Sequence, residues 1–108
     1  MAITRYRVRY ATIYVFPAGA KGVRVNATPE RLSVRAGDIV DWTVVNATAS
    51  PSGKVSIQWK ERSPLKEDPK PFERFERAAV RKAKPGLYRY SILIDGKVVF
   101  DPELEVMS

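Results

Sequence analysis

The stretch Arg31-Leu32-Ser33-Val34-Arg35-Ala36-Gly37-Asp38-Ile39-Val40-Asp41-Trp42-Thr43-Val44-Val45 decides the fold class. Leu32 and Val34 alternate with Arg31, Ser33 and Arg35, the two-residue period of a strand with one wet face. Gly37-Asp38 is a turn-forming pair. After it, Val40, Trp42 and Val44 share one face of a second strand, while the other face is mixed and places Asp41 toward solvent. Trp42 is expected at the centre of the core, since it is the largest apolar side chain in phase with its neighbours.

The same period extends in both directions. Arg5, Arg7 and Arg9 alternate with Tyr6, Val8 and Tyr10, which reads as a strand with an arginine face toward water and a tyrosine-valine face inward. Its second half, Ala11 to Phe16, is apolar on both faces, so Ile13 and Val15 on one side and Tyr14 and Phe16 on the other all demand cover. The segment 17–22 breaks the strand, and Val23 and Val25 begin another before Pro29. Downstream, Val55, Ile57 and Trp59 alternate with Ser56, Gln58 and Lys60. Residues 63–71 contain three prolines and mixed charges, the composition of a long surface loop.

Residues 72–83 read two ways. Phe72, Phe75 and Ala79 have helical spacing, yet Ala78 and Val80 alternate as in a strand, and a short turn followed by a strand is the expectation here. Pro85-Gly86 turns into a strand that places Tyr88, Tyr90, Ile92 and Ile94 on one face. Asp95-Gly96 asks for positive φ at both central residues of a two-residue hairpin, with Val98 and Phe100 on the return strand. Leu104 and Val106 alternate in a last short strand.

About eight short strands in 108 residues argue one all-β domain, a two-sheet Greek-key sandwich. Two strings sharpen this. Residues 31–42, a strand, a Gly-Asp turn and a Val-x-Trp strand, resemble a cupredoxin segment. Pro85-Gly86-Leu87-Tyr88-Arg89-Tyr90 is similar to the Pro-Gly-x-Tyr-x-Tyr strand that leads to the cysteine ligand of copper-binding cupredoxins. The resemblance spans residues 10–106 and implies the cupredoxin-like fold. Strand spacing alone leaves an immunoglobulin-like sandwich as the alternative.

The chemistry of that family does not carry over. The cysteine position falls on Ile92, no histidine follows it, and the loop after Asn46 lacks the family's histidine. The chain has no cysteine and no histidine at all, which removes blue copper, Cys/His zinc sites, disulfides and Ser-His or Cys-His catalysis. No cofactor is expected. Asp38 and Asp95 sit beside turn glycines, Asp101 precedes proline, and Glu67 and Asp68 have no calcium-loop spacing. The sequence therefore reads as non-enzymatic. Trp42 and Trp59 both alternate in phase with core residues and so offer no exposed platform for a sugar ring.

Nineteen Lys and Arg against twelve Asp and Glu give a net charge of +7. Residues 1–35 hold seven bases and one acid, whereas 95–108 hold four acids and one base. Two partner classes follow. Arg5, Arg7 and Arg9 form a candidate stripe for nucleic acid or another polyanion, a pattern that equally keeps a strand edge from aggregating. The preferred reading is a protein-interaction or self-assembly module, with Ile13, Tyr14, Val15 and Phe16 as its interface. A second copy of the chain or the chain's own residues 72–83 would supply the cover. No stretch is apolar enough to span a membrane, and a cytoplasmic location is expected if Met1 is the native start.

Overall fold

The computed structural model describes residues 7–19, 22–48 and 53–108. Among these described residues nine strands follow one another without a helix: β1 Val8–Ala18, β2 Gly22–Thr28, β3 Arg31–Val34, β4 Ile39–Asn46, β5 Val55–Trp59, β6 Phe75–Ala79, β7 Gly86–Ile94, β8 Lys97–Phe100 and β9 Glu103–Val106. One sheet has the order β2-β1-β4-β6; the other has the order β3-β9-β7-β5, with β8 beside β7. The chain changes sheet repeatedly. Its crossings make β1 parallel to β4 and β3 parallel to β9, while the other pairings are antiparallel.

In β3, β4, β7 and β9 the inner faces are those that the alternation assigns. Val40 and Trp42 of β4, Leu32 and Val34 of β3, Tyr90, Ile92 and Ile94 of β7, and Leu104 and Val106 of β9 form one buried cluster. Trp42 is completely buried and donates its indole N–H to the Tyr90 hydroxyl at 3.2 Å. Trp59 packs on the other side of the same tyrosine ring, with centroids 4.9 Å apart. Burial pushes the Tyr90 hydroxyl up to about 12, and the Trp42 hydrogen bond only partly opposes this. At the Asp95-Gly96 hairpin both residues have positive φ, 49° and 82°, as the sequence requires of such a turn.

Residues 72–83 enter as a turn and then β6. The 63–71 loop does more than run over the surface. Pro64 and Leu65 are buried, and the loop lies along the outer edge of β6 through Lys66 N–H to Ala79 O and Arg81 N–H to Pro64 O, both 2.9 Å. The C-terminal end of an edge strand is thereby covered.

Two expectations are corrected. In β1 the odd-numbered face points inward: Ala11, Ile13 and Val15 are buried, whereas Tyr10 is 57% exposed. Arg9 and Arg7 continue the inward face past the end of the core, so the tyrosine-valine side is the outer one. Asp41 is also not a solvated side chain. It is 4% exposed and accepts hydrogen bonds from Arg77 Nε and Thr43 Oγ1, both at 2.7 Å.

Candidate functional site

The two outer faces of the sandwich are built from different chemistry. On the sheet containing β3, β9 and β7, the outward residues of neighbouring strands pair with one another. Arg31 and Glu103 meet at 3.1 Å, Arg89 reaches Glu103 at 3.8 Å, and Ser33 donates to Glu105 at 3.2 Å. Such cross-strand pairs satisfy a solvated face.

The outer face of β2-β1-β4-β6 has no such lattice of charge. Because side chains alternate across a strand, the burial of Ala11, Ile13 and Val15 turns Tyr10, Thr12, Tyr14 and Phe16 outward. Register then aligns the rows. Tyr10 lies beside Asp41, and Asp41 beside Arg77; Thr12 beside Thr43, and Thr43 beside Phe75; Tyr14 beside Val45. Tyr14 and Phe16 stack in parallel with ring centroids 5.9 Å apart. Phe75 is 61% exposed and Val45 44%. The charged groups in this array are few: Arg24 next to Phe16, and the Asp41–Arg77 pair. The Asp41 carboxylate is roofed by the Arg77 guanidinium, which its hydrogen bond and charge hold above the ordinary arginine range. An exposed aromatic and aliphatic patch of this kind is often a contact surface.

Of the four residues assigned to an interface, Tyr14 and Phe16 stand on this face. Ile13 and Val15 do not, which corrects that expectation. They belong to the chain's own core; within residues 72–83, Phe75–Ala79 pairs with β4 in the same sheet as β1, while Phe72 bridges Val55 of β5 and joins that core. Sequence alternation missed Tyr10, Val45 and Phe75 as partners of Tyr14 and Phe16, since only register brings three strands together.

The arginine stripe is likewise redistributed. Arg5 lies outside the described residues. Arg7 donates through Nε and Nη2 to the two carboxylate oxygens of Asp38, at 3.3 and 3.0 Å. Asp38 also accepts the Arg35 N–H at 2.9 Å and is nearly buried. Burial would raise its pKa, but the hydrogen bonds from Arg7 and Arg35 and the charges of Arg7 and Arg9 together hold it below the usual carboxylate range. Arg7 is thus engaged in the turn that opens β4.

At the end of β4 and in the β4–β5 and β7–β8 turns, the residues do not fit a copper ion. Ile92 is fully buried in the core. Asn46 Oδ1 accepts the Thr48 N–H and hydroxyl at 2.9 and 2.6 Å, and Asp95 exchanges hydrogen bonds with the Lys54 backbone at 3.0 and 3.1 Å. Among the described residues no three Asp, Glu, His or Cys side chains gather at one place.

With the geometry in place, the architecture is similar to that of solved cupredoxins. A purple cupredoxin from Nitrosopumilus maritimus superposes with a TM-score of 0.56 at 18% identity, over 89% of this chain and 98% of that one. Rusticyanin from Thiobacillus ferrooxidans gives a TM-score of 0.50 at 15% identity, over 94% and 78%. A multi-copper oxidase from Pseudomonas thermotolerans gives 0.53 at 10% identity, over 96% of this chain and 30% of the oxidase. The fold is cupredoxin-like. No protein-family model and no curated protein matches the sequence.

Proposed function

We propose that this cupredoxin-like chain is a non-catalytic, metal-free assembly module whose outer β2-β1-β4-β6 face docks against the same face of a second copy. The observation that carries the reading is the contrast between the two outer faces, one laced with ion pairs and the other aromatic.

A second copy suits this face electrostatically. The chain carries +7, and two copies repel each other, but the patch itself holds only Arg24, Arg77 and the neutralising Asp41, so little of that charge lies in the contact. Its size suits a modest dimer. Four strand widths by four two-residue widths give a footprint of about 19 by 27 Å. Two such faces bury on the order of 1,000 Å² with side-chain relief included, at the lower bound of specific interfaces. A twofold axis would set Tyr14 and Phe75 of each copy against the other's apolar rows.

Light scattering on the wild type and on a Tyr14→Glu/Phe75→Glu variant tests this. The expected result is a concentration-dependent dimer in the wild type and a folded monomer in the variant. A wild type that stays monomeric at millimolar concentration, or a variant that dimerises equally well, overturns the reading.

Polyanion binding through the basic surface is the second reading, and the net charge supports it. Its signature is opposite in sign: binding to nucleic acid weakens as salt rises, whereas association of like-charged copies through apolar faces strengthens.

A further inference from the structure

A groove runs beside the first half of β7, on the opposite sheet from the aromatic face. Its walls include Lys60, Arg62, Lys84, Leu87 and Arg89. The groove exists because β5 ends early. Pairing between β5 and β7 stops at Trp59 with Tyr90, and one further bond follows, Lys60 N–H to Arg89 O at 2.9 Å.

What this leaves is fixed by the alternation of an antiparallel ladder. Tyr90 sends its N–H to Pro102 O on the β9 side. Tyr88 and Gly86 therefore turn their main-chain groups toward β9, and Leu87 and Arg89 turn theirs toward the groove. Among the described residues the Arg89 N–H and both main-chain groups of Leu87 have no backbone partner. Three main-chain groups, with the spacing of a strand, thus face an unfilled strand position.

The charge beside that position is cationic. Lys60, Arg62, Lys84 and Arg89 outnumber the three acids that line the groove, Glu61, Asp101 and Glu103, and two of those acids are engaged: Asp101 accepts from Ser91 and pairs with Lys60, which together hold its carboxyl below the usual range, and Glu103 pairs with Arg31 and Arg89. Arg62 and Lys84 form no ion pair among the described residues.

We propose that this groove takes an extended acidic peptide segment as an added strand, paired with Leu87 and Arg89 of β7 and flanked by Arg62 and Lys84. Main-chain hydrogen bonds supply the docking, as in other strand additions, and the cations select acidic side chains on the segment. The site is separate from the self-association face.

The probe is an acetylated, amidated hexapeptide of alternating glutamate and valine, titrated into the isotope-labelled full chain at physiological salt. The amides of Leu87 and Arg89 are expected to show the largest shifts and slowed hydrogen exchange. Methylating the peptide nitrogen that faces the Leu87 carbonyl is expected to weaken binding about tenfold, the effect of losing that hydrogen bond. Arg62→Glu/Lys84→Glu, both at exposed positions, is expected to weaken it similarly while leaving the spectrum otherwise folded. Equal binding of the methylated peptide, shifts centred elsewhere, or no binding at all would overturn the assignment.

Discussion

Trp42 and Tyr90 join the two sheets across the core: the indole N–H of β4 donates to the phenol oxygen of β7 at 3.2 Å, and the rings meet edge to face with centroids 6.1 Å apart. Both side chains are buried, so neither polar atom has water to fall back on. Tyr90→Phe leaves the Trp42 N–H without its partner and is expected to cost about 1 to 3 kcal/mol. Denaturant unfolding of the two proteins, with unchanged m-values, measures it.

The same tyrosine makes stability fall at alkaline pH. Its folded value of about 12 lies above the ordinary value of about 10 in the unfolded chain. As pH rises past 10 the unfolded state loses its phenol proton first, so stability falls between these two values. Tyr90→Phe should flatten that part of the stability curve, measured by denaturant unfolding across this range.

Asp38 acts at the acid end with the opposite sign. Its carboxyl is held below the usual range by Arg7, Arg35 and Arg9 against the opposing effect of burial. Its contribution is complete above the ordinary carboxylate value of about 4 and is lost as pH falls through the lower folded value. Asp38→Asn should be less stable than the wild type at neutral pH, and the gap should close below pH of about 4. A gap that persists undiminished into acid would show that the Arg7 pairing is not its source.

Ile13 and Tyr14 are neighbours in sequence with opposite fates. Ile13→Asp puts an unpaired charge in the core and is expected to unfold the protein, at a cost above about 4 kcal/mol. Tyr14→Glu stays on the surface and should change stability by no more than about 0.5 kcal/mol. Circular dichroism melts distinguish the two outcomes.

That pair also marks how far the sequence can be read. Strand positions and turns follow from local chemistry, as at Asp95-Gly96, and the inner face of β4 follows from the phase of Val40, Trp42 and Val44. The resemblance carried by Pro85 to Tyr90 agrees with the cupredoxin-like architecture. Alternation alone does not say which face of a doubly apolar strand is inside. In β1 the arginines mislead because they sit on the inward face beyond the end of the core, where Arg7 finds Asp38. Asp41 misleads for a related reason: a carboxylate reads as solvated until register sets Arg77 beside it. The aromatic face is likewise invisible along the chain, because Tyr10, Tyr14, Val45 and Phe75 come together only through pairing of β1, β4 and β6.

The most direct test of self-association through the outer face is the mass of the full chain in solution, measured by light scattering as salt is raised from low to above physiological. The account predicts a monomer–dimer equilibrium that shifts toward dimer with increasing salt in the wild type and a monomer throughout for Tyr14→Glu/Phe75→Glu. A wild type that is monomeric at every salt concentration, or a dimer that dissociates as salt rises, would contradict it.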